Sequence, residues 1–316
     1  MKNILVLIPV NDEQKKLLEQ KAPGASFVYS DVKKLDAALV QNANIIIGNP
    51  PIDLVKNSKN LELLQLQSAG VGEYAAEGVL PDHVILTNAS GAYGLAISEY
   101  MLGVLLSLYK KLHLYRDNQA EGNWTYLGKV KSIYNSTALI IGLGDIGGEF
   151  AKKLKALGAY TIGIRRKDSN KPDYLDELYF MDKLEELLPR ADIVSLSLPA
   201  TQHTNRIINE KTLGLMKRDA VLINVGRGNA VETEALCDAL ESGRLLGAAL
   251  DVTDPEPLPK DHRLWRIKNA IITPHVSGGF SLKETHDRIV NIAAYNIEAF
   301  FNGRSLMNVV DKAEGY

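Results

Sequence analysis

Three glycines follow an apolar run in Ala138-Leu-Ile-Ile-Gly142-Leu-Gly144-Asp145-Ile146-Gly147. In a strand-turn-helix context the first allows a tight turn, the second lets backbone N–H groups approach a pyrophosphate, and the third lets the helix pack on its strand. The anion then sits at the helix N-terminus. The spacing alone is weak evidence, but the apolar strand before it and Phe150, Leu154 and Leu157 on one helix face after it supply the required context. The unit reads as a dinucleotide-binding turn.

The next strand, from residue 160, ends in Arg165-Arg166-Lys167. That is roughly 20 residues past the motif, where a carboxylate would take a ribose 2′-hydroxyl. A carboxylate repels a 2′-phosphate, whereas guanidinium groups engage it through charge-assisted hydrogen bonds. NADP(H) is therefore favoured as cofactor, with NAD(H) possible.

Three further segments carry reactive groups. Asn224-Val225-Gly226-Arg227-Gly228 holds a fixed cation between two glycines, Asp251-Val-Thr-Asp-Pro-Glu256-Pro-Leu-Pro places a carboxylate in a proline-stiffened loop, and Thr273-Pro-His275 sets an imidazole after a strand. Singly, each could be an ion pair, a loop carboxylate or a backbone-bonded histidine. All three follow strands of one expected sheet, and ligands of open parallel sheets bind beyond the carboxyl ends of strands.

The elements that must position these groups read as two sets of alternating strands and helices. The first has strands at 4–10, 45–48, 63–67 and 84–87, with helical stretches at 12–21 and 31–41. The second has strands at 138–141, 161–164, 193–198, 221–225, 248–252 and 270–273. Short apolar strands alternating with helical patterns predict an α/β fold with doubly wound parallel sheets. The pattern at 97–114 reads as one long helix whose Glu99, Lys110, Lys111 and His113 favour packing between domains or subunits over a membrane anchor.

At 316 residues the chain exceeds the usual limit of one hydrophobic core, so two domains are expected. With 46% hydrophobic and 23% charged residues it reads as a soluble globular protein, and a net charge of −2 gives no case for nucleic acid or an anionic membrane. The single cysteine, Cys237, excludes an internal disulfide framework and a Cys-based zinc cluster, and its helical pattern suggests a small buried residue. No metal site is expected, and the cytoplasm is the default compartment.

Taken in order, Gly142-Leu-Gly-Asp-Ile-Gly147, Asn224-Val-Gly-Arg227-Gly, the 250–259 segment and Thr273-Pro-His275 resemble the successive signatures of the D-isomer-specific 2-hydroxyacid dehydrogenases. Upstream, Gln67-Ser68-Ala69-Gly70-Val71 resembles that family's substrate-carboxylate loop, and 191–199, ending in Pro199, its cofactor-contacting strand. The resemblance implies a Rossmann cofactor domain, residues 97–283, inserted into a flavodoxin-like substrate domain made of 1–96 and 284–316. It implies that Arg227 binds the carboxylate of a 2-oxo acid and polarises its ketone, with the backbone N–H groups of Ala69, Gly70 and Val71 holding the carboxylate from the other domain. His275 would protonate the developing alkoxide as hydride arrives, and Glu256 would stabilise the imidazolium. Asp251 is expected to contact the nicotinamide carboxamide. Gly142, Gly144, Asp145, Ile146, Gly147, Val225 and Gly226 complete the expected cofactor site.

Departures from common family versions are Arg165 in place of the adenine-side acid, Ser197 where histidine is frequent, and Gly72-Glu73 where an aspartate is frequent. Arg165 agrees with the family's NADPH-using reductases and favours a glyoxylate or hydroxypyruvate reductase. An NAD-dependent D-3-phosphoglycerate or D-lactate dehydrogenase is the enzyme alternative, and a nucleotide-regulated corepressor-like protein the alternative of another class. By the same resemblance the apolar 97–114 helix, continuing through 124, should help build a homodimer.

Overall fold

A computed structural model describes residues 1–312 apart from Asn57, 167–169 and 280–281. Lys167 of the basic cluster lies outside the described residues. The chain divides into two compact units, Met1–Tyr93 with Phe280–Tyr316, and Gly94–Gly279. The positions 97 and 284 expected for the division fall inside the first turns of helices Gly94–Tyr109 and Lys283–Phe301.

The first unit holds five parallel strands: β1 (Asn3–Val6), β2 (Ser26–Tyr29), β3 (Ile45–Ile47), β4 (Leu63–Gln65) and β5 (Ile85–Thr87), in the order β2-β1-β3-β4-β5. This is the flavodoxin-like winding. Ile45, Ile46 and Ile47 are buried on both faces, as strands of a covered parallel sheet must be. Helix Asp12–Lys21 starts at a capping box in which Asn11 and Gln14 satisfy each other's backbone N–H. The stretch expected as one helix over 31–41 is instead a 3₁₀ turn, Val32–Lys34, and a short helix, Ala37–Asn42. Asp31 and Asp36 each accept a backbone N–H two residues on, so the second aspartate restarts the chain as a new cap. Helix Lys283–Phe301 returns to this unit and binds helix Asp12–Lys21 through Gln14–Asp287 at 2.8 Å and Lys21–Glu298 at 3.1 Å.

The second unit holds seven parallel strands: β6 (Thr137–Ile141), β7 (Tyr160–Ile164), β8 (Glu177–Tyr179), β9 (Ile193–Leu196), β10 (Val221–Asn224), β11 (Gly247–Leu250) and β12 (Ala270–Ile272). Their order, β12-β11-β10-β9-β6-β7-β8, reverses between β6 and β9, the switch point of a Rossmann sheet. The continuous helix expected over 97–114 ends at Tyr109. Lys111 takes a left-handed φ of 58° before helix Leu112–Ala120 begins. Both lysines at the break are spent locally, Lys110 Nζ on the Lys131 carbonyl at 2.6 Å and Lys111 Nζ on the Leu127 carbonyl. Among the described residues no helix is long and apolar enough to cross a membrane.

Candidate active site

The dinucleotide turn forms as its glycines require. Gly142 has a φ of 97°, and a Cβ on it would stand 2.6 Å from the Ser197 carbonyl oxygen. A Cβ on Gly147 would meet the Gly142 carbonyl oxygen at 1.9 Å, so only glycine lets the helix approach its strand. Gly144 differs, because its Cβ would point into open space with nothing within 4 Å. Gly144 is the N-cap of helix Asp145–Ala156 and, having no side chain, makes no side-chain cap bond there. An uncapped helix start beside open space fits the pyrophosphate of a dinucleotide, which the first-turn N–H groups, including those of Ile146 and Gly147, would hold.

Asp145 turns its carboxylate to the Gly94 N–H at 2.6 Å. Its side chain therefore ties the starts of two helices. Ser197 donates to the Gly142 carbonyl at 2.9 Å and closes the turn from the end of β9. Pro199 lies beyond that end and accepts the Thr204 hydroxyl at 2.7 Å. Arg165 and Arg166 follow β7 directly, with the Arg165 N–H donating to Tyr179 and the Arg166 side chain exposed.

The adjacent strands β10, β11 and β12 run in register, Asn224 beside Leu250 and Leu250 beside Ile272, so their following loops share one sheet edge. After β10, Asn224 is 1% exposed and shapes the turn from both ends. Its Oδ1 accepts the Gly226 N–H at 3.1 Å and its Nδ2 donates to the Arg227 carbonyl at 2.9 Å. Val225 is buried, and a Cβ on Gly226 would meet the backbone of Leu198 at 2.6 Å. Arg227 Nη1 donates to the Gly226 carbonyl at 2.7 Å, and among the described residues no carboxylate pairs with its guanidinium. Such a fixed, partly open cation suits an anionic ligand.

His275 and Glu256 meet, with Nδ1 2.7 Å from Oε1. The side chains are 48% and 42% exposed, so the pair is open to a ligand and to solvent. With Nδ1 committed to the carboxylate, Nε2 is the nitrogen left for proton transfer. The turn carrying the imidazole has a φ of 53° at His275, held by its own N–H donating to the carbonyls of Asp251 at 2.8 Å and Thr273 at 3.0 Å.

Asp251 is enclosed by the turn that follows β12. It is 1% exposed, and its carboxylate accepts the Thr273 hydroxyl at 2.6 Å, the Val276 N–H at 2.9 Å, and the Ser277 N–H and hydroxyl at 3.0 and 2.5 Å. Four donors fill both oxygens. Asp251 thus anchors the turn beneath His275. Because Thr273 spends its one proton on Asp251, the Tyr100 hydroxyl 2.7 Å away must be the donor to Thr273. Burial raises the Tyr100 phenol above its ordinary range, which keeps it a neutral donor.

Asn224, Thr273, Ser277 and Tyr100 were not singled out from sequence. The one available signal was Asn224, a polar residue closing an apolar strand. Cys237 is wholly buried on helix Thr233–Glu241, and burial pushes its thiol up to about 11. It is inert at neutral pH.

In the first unit, Ala69, Gly70 and Val71 follow β4. Among the described residues their backbone N–H groups donate to no protein acceptor.

The sequence signature of the D-isomer specific 2-hydroxyacid dehydrogenase, NAD binding domain matches residues 102–277. The chain belongs to the D-isomer-specific 2-hydroxyacid dehydrogenase family. A glyoxylate reductase of Thermofilum pendens is 31% identical over 298 residues, 92% of this chain and 85% of the relative. A crystal structure of a family member from Aeromonas salmonicida superposes with a TM-score of 0.86 at 31% identity, covering 98% of this chain and 99% of that one. The NADPH-dependent glyoxylate/hydroxypyruvate reductase of Sinorhizobium meliloti, solved with NADP and sulfate, gives 0.83 at 25% identity over the whole of both chains. The protein is accordingly an NAD(P)-binding oxidoreductase of this dehydrogenase family.

Proposed function

We propose that this dehydrogenase reduces a small 2-oxo acid of the glyoxylate or hydroxypyruvate type to the D-2-hydroxy acid, with NADPH favoured over NADH. The observation that carries the chemistry is the His275–Glu256 contact of 2.7 Å on the same sheet edge as the Arg227 guanidinium, which no carboxylate among the described residues pairs. When bound, the nicotinamide supplies the hydride. Arg227 holds the substrate carboxylate and polarises the ketone. The Ala69, Gly70 and Val71 N–H groups are assigned to the same carboxylate on the family resemblance. His275 delivers the proton to the alkoxide oxygen, so one hydride and one proton convert C=O to CH–OH. Glu256 holds the ring through Nδ1 and so leaves Nε2 for that transfer.

The cofactor preference rests on Arg165 and Arg166 at the end of β7, with Arg165 in place of the adenine-side acid that would repel a 2′-phosphate. The Sinorhizobium meliloti reductase, solved with NADP, is consistent with it. A panel of 2-oxo acids assayed with NADPH and with NADH tests substrate class and cofactor together. Arg165→Asp is expected to weaken NADPH binding and move the preference towards NADH, by removing an ion pair and offering the ribose hydroxyl an acceptor. Arg166→Ala should weaken NADPH alone. Tighter NADH than NADPH binding by the unaltered enzyme in coenzyme titrations would overturn the assignment.

A further inference from the structure

We propose that Asn49 is a positioning residue for substrate binding, clasping the 67–70 segment so that the N–H groups after it face outward. The inference rests on the reading that Ala69, Gly70 and Val71 hold the substrate carboxylate, and it lies wholly within the first unit.

The mount is built by residues on either side of Asn49. Gly48 leaves β3 with a φ of 124°, and a Cβ there would stand 2.8 Å from Leu7 Cβ, so the bend that brings residue 49 beside the exit of β4 needs glycine. Pro50 and Pro51 follow, which fixes φ at both and holds Asn49 extended. Tyr74 donates its hydroxyl to the Pro50 carbonyl at 2.5 Å and braces the mount further.

The clasp itself has a forced direction. The Gln67 backbone N–H can only donate, so the Asn49 atom 3.0 Å from it is the amide oxygen. The amide nitrogen then faces Ser68 Oγ at 3.0 Å and donates to it. Ser68 is left with its single proton for the Gly70 carbonyl, at 2.6 Å. In a trans peptide the carbonyl and the next N–H point opposite ways. Drawing the Gly70 carbonyl inward therefore turns the Val71 N–H outward. Tyr93 fixes the Gln67–Ser68 peptide by donating to the Gln67 carbonyl at 2.5 Å.

The test uses the full chain, with glyoxylate and NADPH as probes. Asn49→Ala and Ser68→Ala are each expected to raise KM for glyoxylate by about tenfold, the worth of one lost hydrogen bond in the clasp, with kcat and the NADPH Kd little changed. Because both act through one chain of bonds, the double variant should be no worse than either alone. Asn49→Asp keeps the acceptor for Gln67 but draws the Ser68 proton away from Gly70. It should fail like Asn49→Ala despite its matching shape. Val71→Pro removes one proposed donor without breaking a protein hydrogen bond and tests the underlying reading. If Val71→Pro raises KM while the Asn49 and Ser68 variants do not, the clasp is overturned and the carboxylate loop stands. An unchanged KM in Val71→Pro overturns both. Additive effects, or losses of NADPH binding parallel to KM, would mark Asn49 as merely structural and overturn the proposal.

Discussion

A histidine at a φ of 53° sits where non-glycine residues are uncommon, and such backbone costs on the order of 1–3 kcal/mol. The surroundings over-determine it. Two bonds from the His275 N–H, four donors on the Asp251 carboxylate and the Tyr100–Thr273 link hold the turn that aims the imidazole. His275→Ala is therefore expected to keep the turn and coenzyme binding while losing about 10²–10⁴-fold in reductive turnover, the usual worth of a general acid. Near-normal turnover with saturating coenzyme would remove His275 from the proton step. Glu256→Gln replaces the carboxylate 2.7 Å from Nδ1 by a neutral amide, so the imidazole loses a charge-assisted hydrogen bond, and reductive kcat should fall while coenzyme binding is kept. An unchanged kcat, with chemistry shown to be rate-limiting by coenzyme isotope effect, would refute the pairing. Arg227, Glu256 and His275 were legible in sequence because reactive residue types stand directly after apolar strands. Asn49 and Tyr100 were not, since their roles exist only as contacts between segments far apart in the chain.

At the scale of elements, legibility followed burial. β3 and β6 are continuous apolar runs, since both faces of an interior parallel strand are covered. The edge strands β2 and β8 went unread. Ser26–Tyr29 and Glu177–Tyr179 are partly exposed and need no apolar run. β8 is held instead by polar bonds: Glu177 accepts both Arg190 Nη1, at 3.0 Å, and Nη2, together with the Tyr160 hydroxyl at 2.7 Å and the Tyr179 hydroxyl at 2.5 Å. Arg190, ahead of the other partners, pulls the Glu177 carboxyl down to about 2. A lowered folded-state value means stabilisation that is present above the ordinary carboxylate range and is lost as pH falls through the folded value. Glu177→Gln should thus destabilise the enzyme at pH 7 by no more than about 1 kcal/mol, given its exposed partners. Denaturant titrations should show the gap to the unaltered enzyme narrowing as pH falls from about 4.5 towards 2. A gap independent of pH would mean that shape rather than charge holds the strand.

At the scale of the whole molecule, the segment after the Lys111 break carries side chains that a monomer has no reason to display. Trp124 is fully exposed, Tyr126 is 80% exposed, and both line a groove with Tyr115 and Gln119. Leu112, Val130 and Tyr134 add exposed apolar surface along the same stretch of chain. Aromatic residues are enriched in protein interfaces, where their large rigid surfaces bury with little loss of entropy. We propose a second copy of this chain as the partner, because the segment comes from the apolar helical region assigned to a homodimer by family resemblance, and a two-fold contact lets one such patch cover its own copy. Sequence exposed the apolar excess but not its form. It suggested one unbroken helix, whereas the break at Lys111 leaves a short helix followed by a stretch without regular secondary structure. Trp124→Glu with Tyr126→Glu places two charges in the patch and leaves the cores of both units untouched. Sedimentation equilibrium at micromolar concentration should give twice the chain mass of 34.7 kDa for the unaltered protein and the single mass for the double variant. The variant's melting temperature should become independent of protein concentration, while that of the unaltered protein rises with it. A single-chain mass for the unaltered protein at these concentrations would refute the dimer, and a dimeric double variant would place the interface elsewhere.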